Sequence, residues 1–404
     1  MYFYYLCSVI KIENTLNLTK MKHNFRIIIG MLLIAVPMCL TAQVKPTKPE
    51  GPKPKTEKPM KPEKPEKPEK PEKPKGGLEM PRISGFVQGM YQANLTDEGE
   101  LKDNTLRMRR VRLSVDGNLS KTVSYKIQGD FTRSPMLVDA FIKYKPCREF
   151  AIQLGQFKTP FTIESPINPV NLEIFDYGEA VQYLVGYKDV CGVGALGRDL
   201  GLMATGSLFP VMGEEGYKYS IVDYAVGVFN GNGANNLDNN NRKDLVGRLE
   251  VHPGLKDLTL TGSYYYGLYS KDENINCTRN RWSAGAQYND GKVVLRSEYI
   301  SGETGYARTL IPEDLGYYNS NGYYAVAGYN FAVGKDKSQK LMPVLRVDHF
   351  TADEAVVDGG TNWYTAGLNY WPLKSVNCKL DYSLVQKESG TNSHRVVGMV
   401  SYKF

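Results

Sequence analysis

The sequence predicts an all-β fold: a transmembrane antiparallel β-barrel of about 16 strands, preceded by a disordered Pro/Lys/Glu-rich N-terminal segment. Three observations lead there. First, Val396, Gly398, Val400, Tyr402 and the terminal Phe404 alternate with Val397, Met399, Ser401 and Lys403. A period of two is an extended strand with one apolar face. As the edge of a soluble sheet such a strand would template aggregation, whereas a closed barrel in lipid has no edge to expose. A buried last strand of a soluble sandwich is the alternative. Second, alternating segments of about 10 to 13 residues recur from residue 82 onward, long enough for a tilted strand to cross an outer membrane. Third, no stretch past residue 42 offers the ~20 continuous apolar residues of a membrane helix, and mean hydropathy is -0.38.

The elements follow in order. Met21 opens a secretory signal, with Lys22 and Arg26 ahead of the apolar run Ile27 to Leu40 and then Thr41-Ala42. Residues 1–42 are therefore expected to be removed, leaving Gln43 first. Residues 1–20 read as an upstream mis-start or an extended signal. Cys39 raises a lipoprotein alternative, against which Met38 is too large. Residues 43–80 form a linker in which Lys-Pro-Glu repeats from Lys61 to Pro74. Proline at every third position favours polyproline II, with separate Pro, Lys and Glu ridges. Nothing there can build a core. At ~3.1 Å per residue the linker reaches on the order of 90 Å. It is either a solvated periplasmic spacer or a tether to the cell wall or a periplasmic partner.

Residues 81–404 hold the barrel. The expected strands are 82–93, 105–117, 122–132, 137–145, 149–158, 198–208, 217–229, 244–252, 257–269, 280–288, 291–301, 322–332, 340–350, 361–371, 375–386 and 394–404. With the N-terminus in the periplasm, even-numbered gaps are mostly short: Asn118 to Lys121, Pro146-Cys147, Pro253 to Lys256, Asp290, and Pro372 to Lys374. Odd-numbered gaps are often longer, as in Gly231 to Asn241 and Gly302 to Asn321. Short periplasmic turns and long outer loops are the barrel pattern. The gap before Tyr217 and the brief one near Ser134 fit it less well. Aromatics (28 Tyr, 14 Phe) suit interfacial girdles.

Alternation assigns the faces. Val111, Leu113 and Val115 oppose Arg110, Arg112, Ser114 and Asp116; Val123, Tyr125 and Ile127 oppose Ser124, Lys126 and Gln128. A charge at the midplane of a lipid face costs ~2–4 kcal/mol, so the charged face points into the lumen. The basic lumen candidates are Arg110, Arg112, Lys126, Lys143, Arg248, Arg296 and Arg346. A guanidinium fork suits phosphate-like oxyanions because it donates two hydrogen bonds at once. Asp116, Asp130, Asp139, Glu250, Glu298 and Asp348 share these faces, and Arg248–Glu250, Arg296–Glu298 and Arg346–Asp348 repeat one i,i+2 pattern. The faces therefore read either as a selective anion path or as a neutralising charge network that keeps the lumen wet. The formal charge of +7 does not choose between them. Residues 1–42 carry +3 and 43–75 carry +5, leaving the body at −1. Any anion preference must come from placement.

Catalytic, metal and cofactor signals are lacking in the sequence. Cys147, Cys191, Cys277 and Cys378 show no ligand spacing. His252, His349 and His394 have no nearby triad partners, and no phosphate-cradling glycine loop precedes a helix. Nothing points to nucleic acid. The terminal Phe404 is the expected handle for the barrel-assembly machinery. An outer-membrane enzyme and a plugged structural or adhesive barrel, tethered to the cell wall by the linker, are the rival readings.

Three motifs carry a family resemblance. Leu106-Arg107-Met108-Arg109-Arg110-Val111-Arg112-Leu113 resembles an arginine-rich second strand. Gly155-Gln156-Phe157-Lys158-Thr159-Pro160-Phe161 is similar to Gly-Gln-Phe-Lys-x-Pro-Phe, and Arg198-Asp199-Leu200-Gly201 follows the long gap. Together they resemble the phosphate-selective porins O and P over most of 82–404. The resemblance implies a trimeric, sixteen-stranded, anion-favouring channel in a Gram-negative outer membrane, passing phosphate or other small solutes. Arg110 and Arg112 are the pore-lining pair it favours. The gap Pro160 to Gly197 would be the third outer loop, which in such porins folds inward and narrows the channel, with Glu164, Glu173, Asp176, Glu179 and Lys188 among its charges. An external cap is the alternative.

Overall fold

Each alternating segment forms a strand, and each strand pairs antiparallel with the next in the chain. The computed structural model describes residues 80–404 apart from 194–195, 256, 273–274, 308–314 and 336. The expected signal and the Lys-Pro-Glu repeats lie outside the described residues. The strands are β1 (Arg82–Leu95), β2 (Leu101–Asn118), β3 (Val123–Asp130), β4 (Leu137–Tyr144), β5 (Ala151–Lys158), β6 (Arg198–Gly213), β7 (Gly216–Phe229) and β8 (Asp244–Val251). Then come β9 (Leu258–Tyr266, resumed at Leu268–Asp272), β10 (Ile275–Asn289), β11 (Val293–Ala307) and β12 (Leu315–Tyr329, resumed at Phe331–Val333). The last are β13 (Gln339–Thr351), β14 (Gly360–Leu373), β15 (Val376–Lys387) and β16 (Asn392–Lys403). Both pieces of β9 pair with β10, and both pieces of β12 pair with β13, so the barrel has sixteen strands.

Closure joins the two ends of the chain. β1 pairs with β16 from Phe86↔Lys403 to Leu95↔His394. The Gly85 amide donates to the Phe404 carbonyl at 3.0 Å, and the Phe404 amide donates back at 3.1 Å. Gly85 is required sterically: a Cβ there would sit 2.7 Å from Phe404 Cζ and closer still to the Arg112 carbonyl. Along the wall the burial of a soluble protein is inverted. Leu113, Ile127, Leu249, Leu295, Leu345 and Val400 are exposed, while Arg112, Gln128, Arg296, Asp348, Asp381 and Ser401 are buried. The exposed face is the one that meets hydrocarbon.

Two connections differ from expectation. Gly302 to Asn321 is mostly strand, because Gly302↔Ser320 through Ala307↔Leu315 continue the β11–β12 ladder past the membrane. The awkward gap before Tyr217 shrinks to Glu214-Glu215, because Pro210↔Ser220 to Gly213↔Gly216 are paired. It thereby joins the other short turns.

The apolar core lies within the lumen. The segment 159–197 between β5 and β6 contains a 3-10 turn at Pro169–Asn171 and one short helix, α1 (Glu179–Leu184). Ala180, Val181 and Leu184 are fully buried. The core they join includes Met90 of β1, Phe157 of β5, Phe229 of β7, Ile300 of β11, Tyr324 of β12, Phe350 of β13 and Val397 of β16. Those positions have the inward parity of their strands, so the segment sits inside the barrel. Each fully buried aliphatic or aromatic side chain contributes roughly 1.5–3 kcal/mol.

Replacing Gly85 by Val should interfere with the β1–β16 seam. The expected outcome is loss of the mobility shift between folded and boiled protein on a denaturing gel; an unaltered shift would show that closure tolerates bulk at this position.

Candidate functional site

The site begins with an irregularity in β2. Gln88 faces Arg110, but the next β1 residue, Gly89, faces Met108. Arg109 is thus the extra residue of a β-bulge, which breaks alternation and re-aims a side chain. Strict alternation would send Arg109 outward with Val111. Instead Arg109 pairs with Asp176 of the inner segment, and Arg110 approaches the same carboxylate at 3.5 Å while donating to Gln88 at 3.1 Å. Arg109 also lies 5.4 Å from the Phe175 ring centre, and Arg395 of β16 lies 4.7 Å from it. Arg395 is 4.0 Å from Glu179. Three guanidiniums thus meet two carboxylates on the β16–β1–β2 arc. Burial pushes the Asp176 carboxyl up, but Arg109 and Arg110 outweigh it and hold it at about 2. A depressed carboxylate stabilises the attachment above the ordinary carboxylate range, and this is lost as pH falls through about 2.

The opposite side of the segment is fastened to β11–β13. Arg296 grips Glu173 with both nitrogens at 3.0 Å and reaches Glu164 at 3.3 Å. Arg346 grips Glu164 at 3.0 and 3.1 Å and Asp348 at 2.8 Å. Glu164, fully buried, also accepts from the Gly178 amide at 2.6 Å. Wall carboxylates in turn accept from segment amides. Glu298 takes Ile163 at 2.9 Å, Asp348 takes Glu179 at 3.3 Å and Asp381 takes Phe175 at 2.9 Å. So two of the three expected i,i+2 pairs form, Arg346–Asp348 and Arg248–Glu250 (3.6 Å). Glu298 turns instead to the inner segment and to the Tyr324 hydroxyl at 2.9 Å.

The Gly155–Phe161 motif sets where the segment enters. A Cβ on Gly155, with φ +137°, would lie 2.7 Å from Phe141 Cα. Gln156 accepts from the Asn235 amide at 2.7 Å and ties β5 to the loop 230–243. Lys158 turns its ammonium into the segment and donates to the Ser165 carbonyl, to the Ile167 carbonyl at 3.0 Å and to the Tyr177 hydroxyl at 2.9 Å. Phe161 packs edge-on against Tyr265 at 5.9 Å. At the exit, Arg198 holds Asp139 at 2.7 Å, and Asp199 accepts from the Gly231 amide at 2.6 Å.

The remaining expected residues are placed as follows. Arg112 pairs with Asp130 at 2.9 Å, and Lys126 with Asp139 at 3.2 Å. Lys143 and Arg248 line a cavity of about 250 Å³ with Lys145, Arg148, Asp223 and Glu250. Lys188 lies 5.7 Å from the Tyr183 ring centre. The sequence reading left out Arg109, Lys158, Arg279 and Arg281. Arg279 pairs with Asp244 at 2.5 Å, and Arg281 grips Asp189 at 2.6 and 2.7 Å. Arg279 and Arg281 share one parity, but the expected strand began at 280, inside that pattern. Lys158 was visible only as a motif letter.

This is the geometry of a porin: a closed outer-membrane barrel with a charged interior and an inward third loop. A model of the phosphate-selective porin O and P family matches residues 82–280 and 272–404. The chain belongs to that family and is an outer-membrane porin of a Gram-negative bacterium. Solved structures share the fold. The anion-selective porin from Comamonas acidovorans matches with TM-score 0.58 and 13% identity over 80% of this chain and 99% of that one. Salmonella typhi OmpF in complex with daunomycin matches with TM-score 0.56 and 13% identity over 80% and 97%. The outer membrane channel DcaP of Acinetobacter baumannii matches with TM-score 0.55 and 12% identity over 80% and 97%. No curated protein matches in sequence. Family and fold point to a channel rather than an enzyme.

Lys158→Met keeps the aliphatic stem and removes the donor. Each buried oxygen left without a partner costs about 1–3 kcal/mol. The expected result is a lower unfolding temperature with new protease cleavage within 159–197; unchanged protection would show that the ammonium does not hold the segment.

Proposed function

We propose that this porin is a water-filled diffusion channel that favours small anions such as phosphate, narrowed by the inward loop 159–197. The observation that carries this reading is the β16–β1–β2 arc, where Arg109, Arg110 and Arg395 gather against the carboxylates of Asp176 and Glu179. Excess positive charge at a narrow, low-dielectric place raises the local anion concentration far more than charge at a wide mouth. Arg112, Lys126, Lys143, Arg248, Arg296 and Arg346 extend the basic wall along the lumen, partly neutralised by their carboxylates. Family membership supports a homotrimer, and the terminal Phe404 supports hand-over by the barrel-assembly machinery. Residues 1–42 serve as the secretory signal and the Lys-Pro-Glu linker as a periplasmic spacer.

A second reading, a plugged structural barrel, is favoured by one observation: the inner segment packs against strands on several sides of the wall. Planar-bilayer conductance separates the two, and a silent purified protein would sink the channel reading. Given conductance, the reversal potential in a salt gradient should report anion preference. Arg109→Ser with Arg110→Ser should shift it toward cations at least severalfold in permeability ratio; an unmoved reversal potential would remove these residues from the selectivity role. Glu164→Gln breaks the clasp to Arg296 and Arg346, at about 3–5 kcal/mol for a buried pair. It should give larger or noisier single-channel currents; an unchanged current would show that the clasp does not set the bore.

A further inference from the structure

The lipid-facing wall is not evenly padded. On β10, β11 and β12 the outward residues Ala286, Ser297 and Ala325 are cross-strand neighbours, and Ala327 lies one outward step nearer the short turns. Leu258 stands on one side, with Leu345 and Val347 on the other. The result is an outward groove of about 520 Å³ with an almost wholly apolar lining. Ridges of Leu and Tyr flank it, as the exposed Leu260, Tyr299, Tyr323 and Leu345 show. A groove of this size holds a ligand-sized volume, and left unfilled its lining forfeits dispersion contacts.

The lining reaches toward the short-turn end through Leu258, Tyr288 and Ala327, the periplasmic end in outer-membrane barrels. There Tyr329 and Phe331 lie 4.6 Å apart at the surface, as an interfacial girdle does. Beyond them the turn 290–292 carries Lys292, and the turn after β12 carries Lys335 and Lys337, all three exposed. The acidic residues of these turns in the sequence are Asp257, Asp290 and Asp336, the last between Lys335 and Lys337. Asp290 is engaged by the Lys292 amide at 2.8 Å, the Val293 amide at 2.7 Å and the Tyr288 hydroxyl at 3.3 Å. An apolar trough thus ends at a basic rim, at the depth where a lipid changes from chain to headgroup.

We propose that this groove seats an acyl chain of an anionic glycerophospholipid of the inner leaflet, its phosphate held by Lys292, Lys335 and Lys337. The site lies on the outer wall, apart from the lumen. It depends only on the barrel standing in the outer membrane, so it survives whatever solute the channel carries. Lysines near an anionic headgroup add charge attraction, and chain burial adds the hydrophobic term.

The test reconstitutes the full barrel in nanodiscs holding phosphatidylglycerol and phosphatidylcholine, re-extracts it in detergent and measures retained lipid by mass spectrometry. Wild type should retain phosphatidylglycerol in preference to phosphatidylcholine. Ala325→Phe with Ala327→Phe fills the trough and should lower retention of both lipids by roughly tenfold, equivalent to about 1.4 kcal/mol. Lys292→Glu with Lys335→Glu and Lys337→Glu should abolish the preference. That variant alters only exposed turns, so it remains informative should the filled wall not fold; folding is read from the heat-dependent gel shift. Equal retention by wild type and the filled variant, or no headgroup preference in wild type, overturns the proposal. So does a filled variant that dissociates a multimer without losing lipid, because the groove would then be a contact between copies of the chain.

Discussion

Everything in this molecule depends on the hydrogen bonds between β1 and β16. A strand in hydrocarbon cannot leave its amides unpaired, since each orphan costs several kcal/mol and no water is available to satisfy it. Joining Gly85 to Phe404 turns a sheet with two edges into a cylinder with none. Once closed, the two faces of every strand have opposite solvents. Leu295 and Leu345 meet lipid, so their neighbours Arg296 and Arg346 must meet the lumen.

A lumen lined with charge raises a second problem, which the inner segment solves. A buried guanidinium without a counter-charge is costly, and a partly satisfied polar network is worse than none. On the wall Arg346 meets one carboxylate, Asp348, and Arg296 meets Gln287; Glu164 and Glu173, carried in by the segment, complete both. The exchange runs both ways. Amides of Ile163, Phe175 and Glu179 would be orphans inside the barrel, and Glu298, Asp381 and Asp348 accept from them. Between these polar contacts, α1 and its flanks supply the apolar core that a soluble protein would build between sheets. The segment is held by an arginine-rich arc at β16–β1–β2, by a mixed one at β11–β13, and further by Arg281 of β10 and Asp381 of β15.

Much of this was legible. Sixteen strands and their order could be read because a period of two is local and survives without knowledge of partners. Lumen residues such as Arg112, Arg248, Arg296 and Arg346 were found by parity alone. Reading failed where pairing is non-local. Gly302 to Asn321 looks like a loop by composition, yet Glu303 and Asn319 face each other in a ladder. Arg109 violates parity, and only the slip between Gln88 and Gly89 turns it inward. Glu298 stands two residues from Arg296, but its partners lie in the inner segment and on the next strand.

By itself the sequence determined the class of fold, the number of strands and, away from the bulge at Arg109, which side chains face lipid and which face the lumen. All of these follow from the alternation of single side chains along an extended backbone. The tertiary structure decided which charges meet. Asp176 finds Arg109 and Glu164 finds Arg346 because the cylinder brings distant parts of the chain within hydrogen-bond reach. The bulge in β2 and the trough on β10–β12 likewise arise from register between strands, and register is a property of pairs that a single strand does not carry.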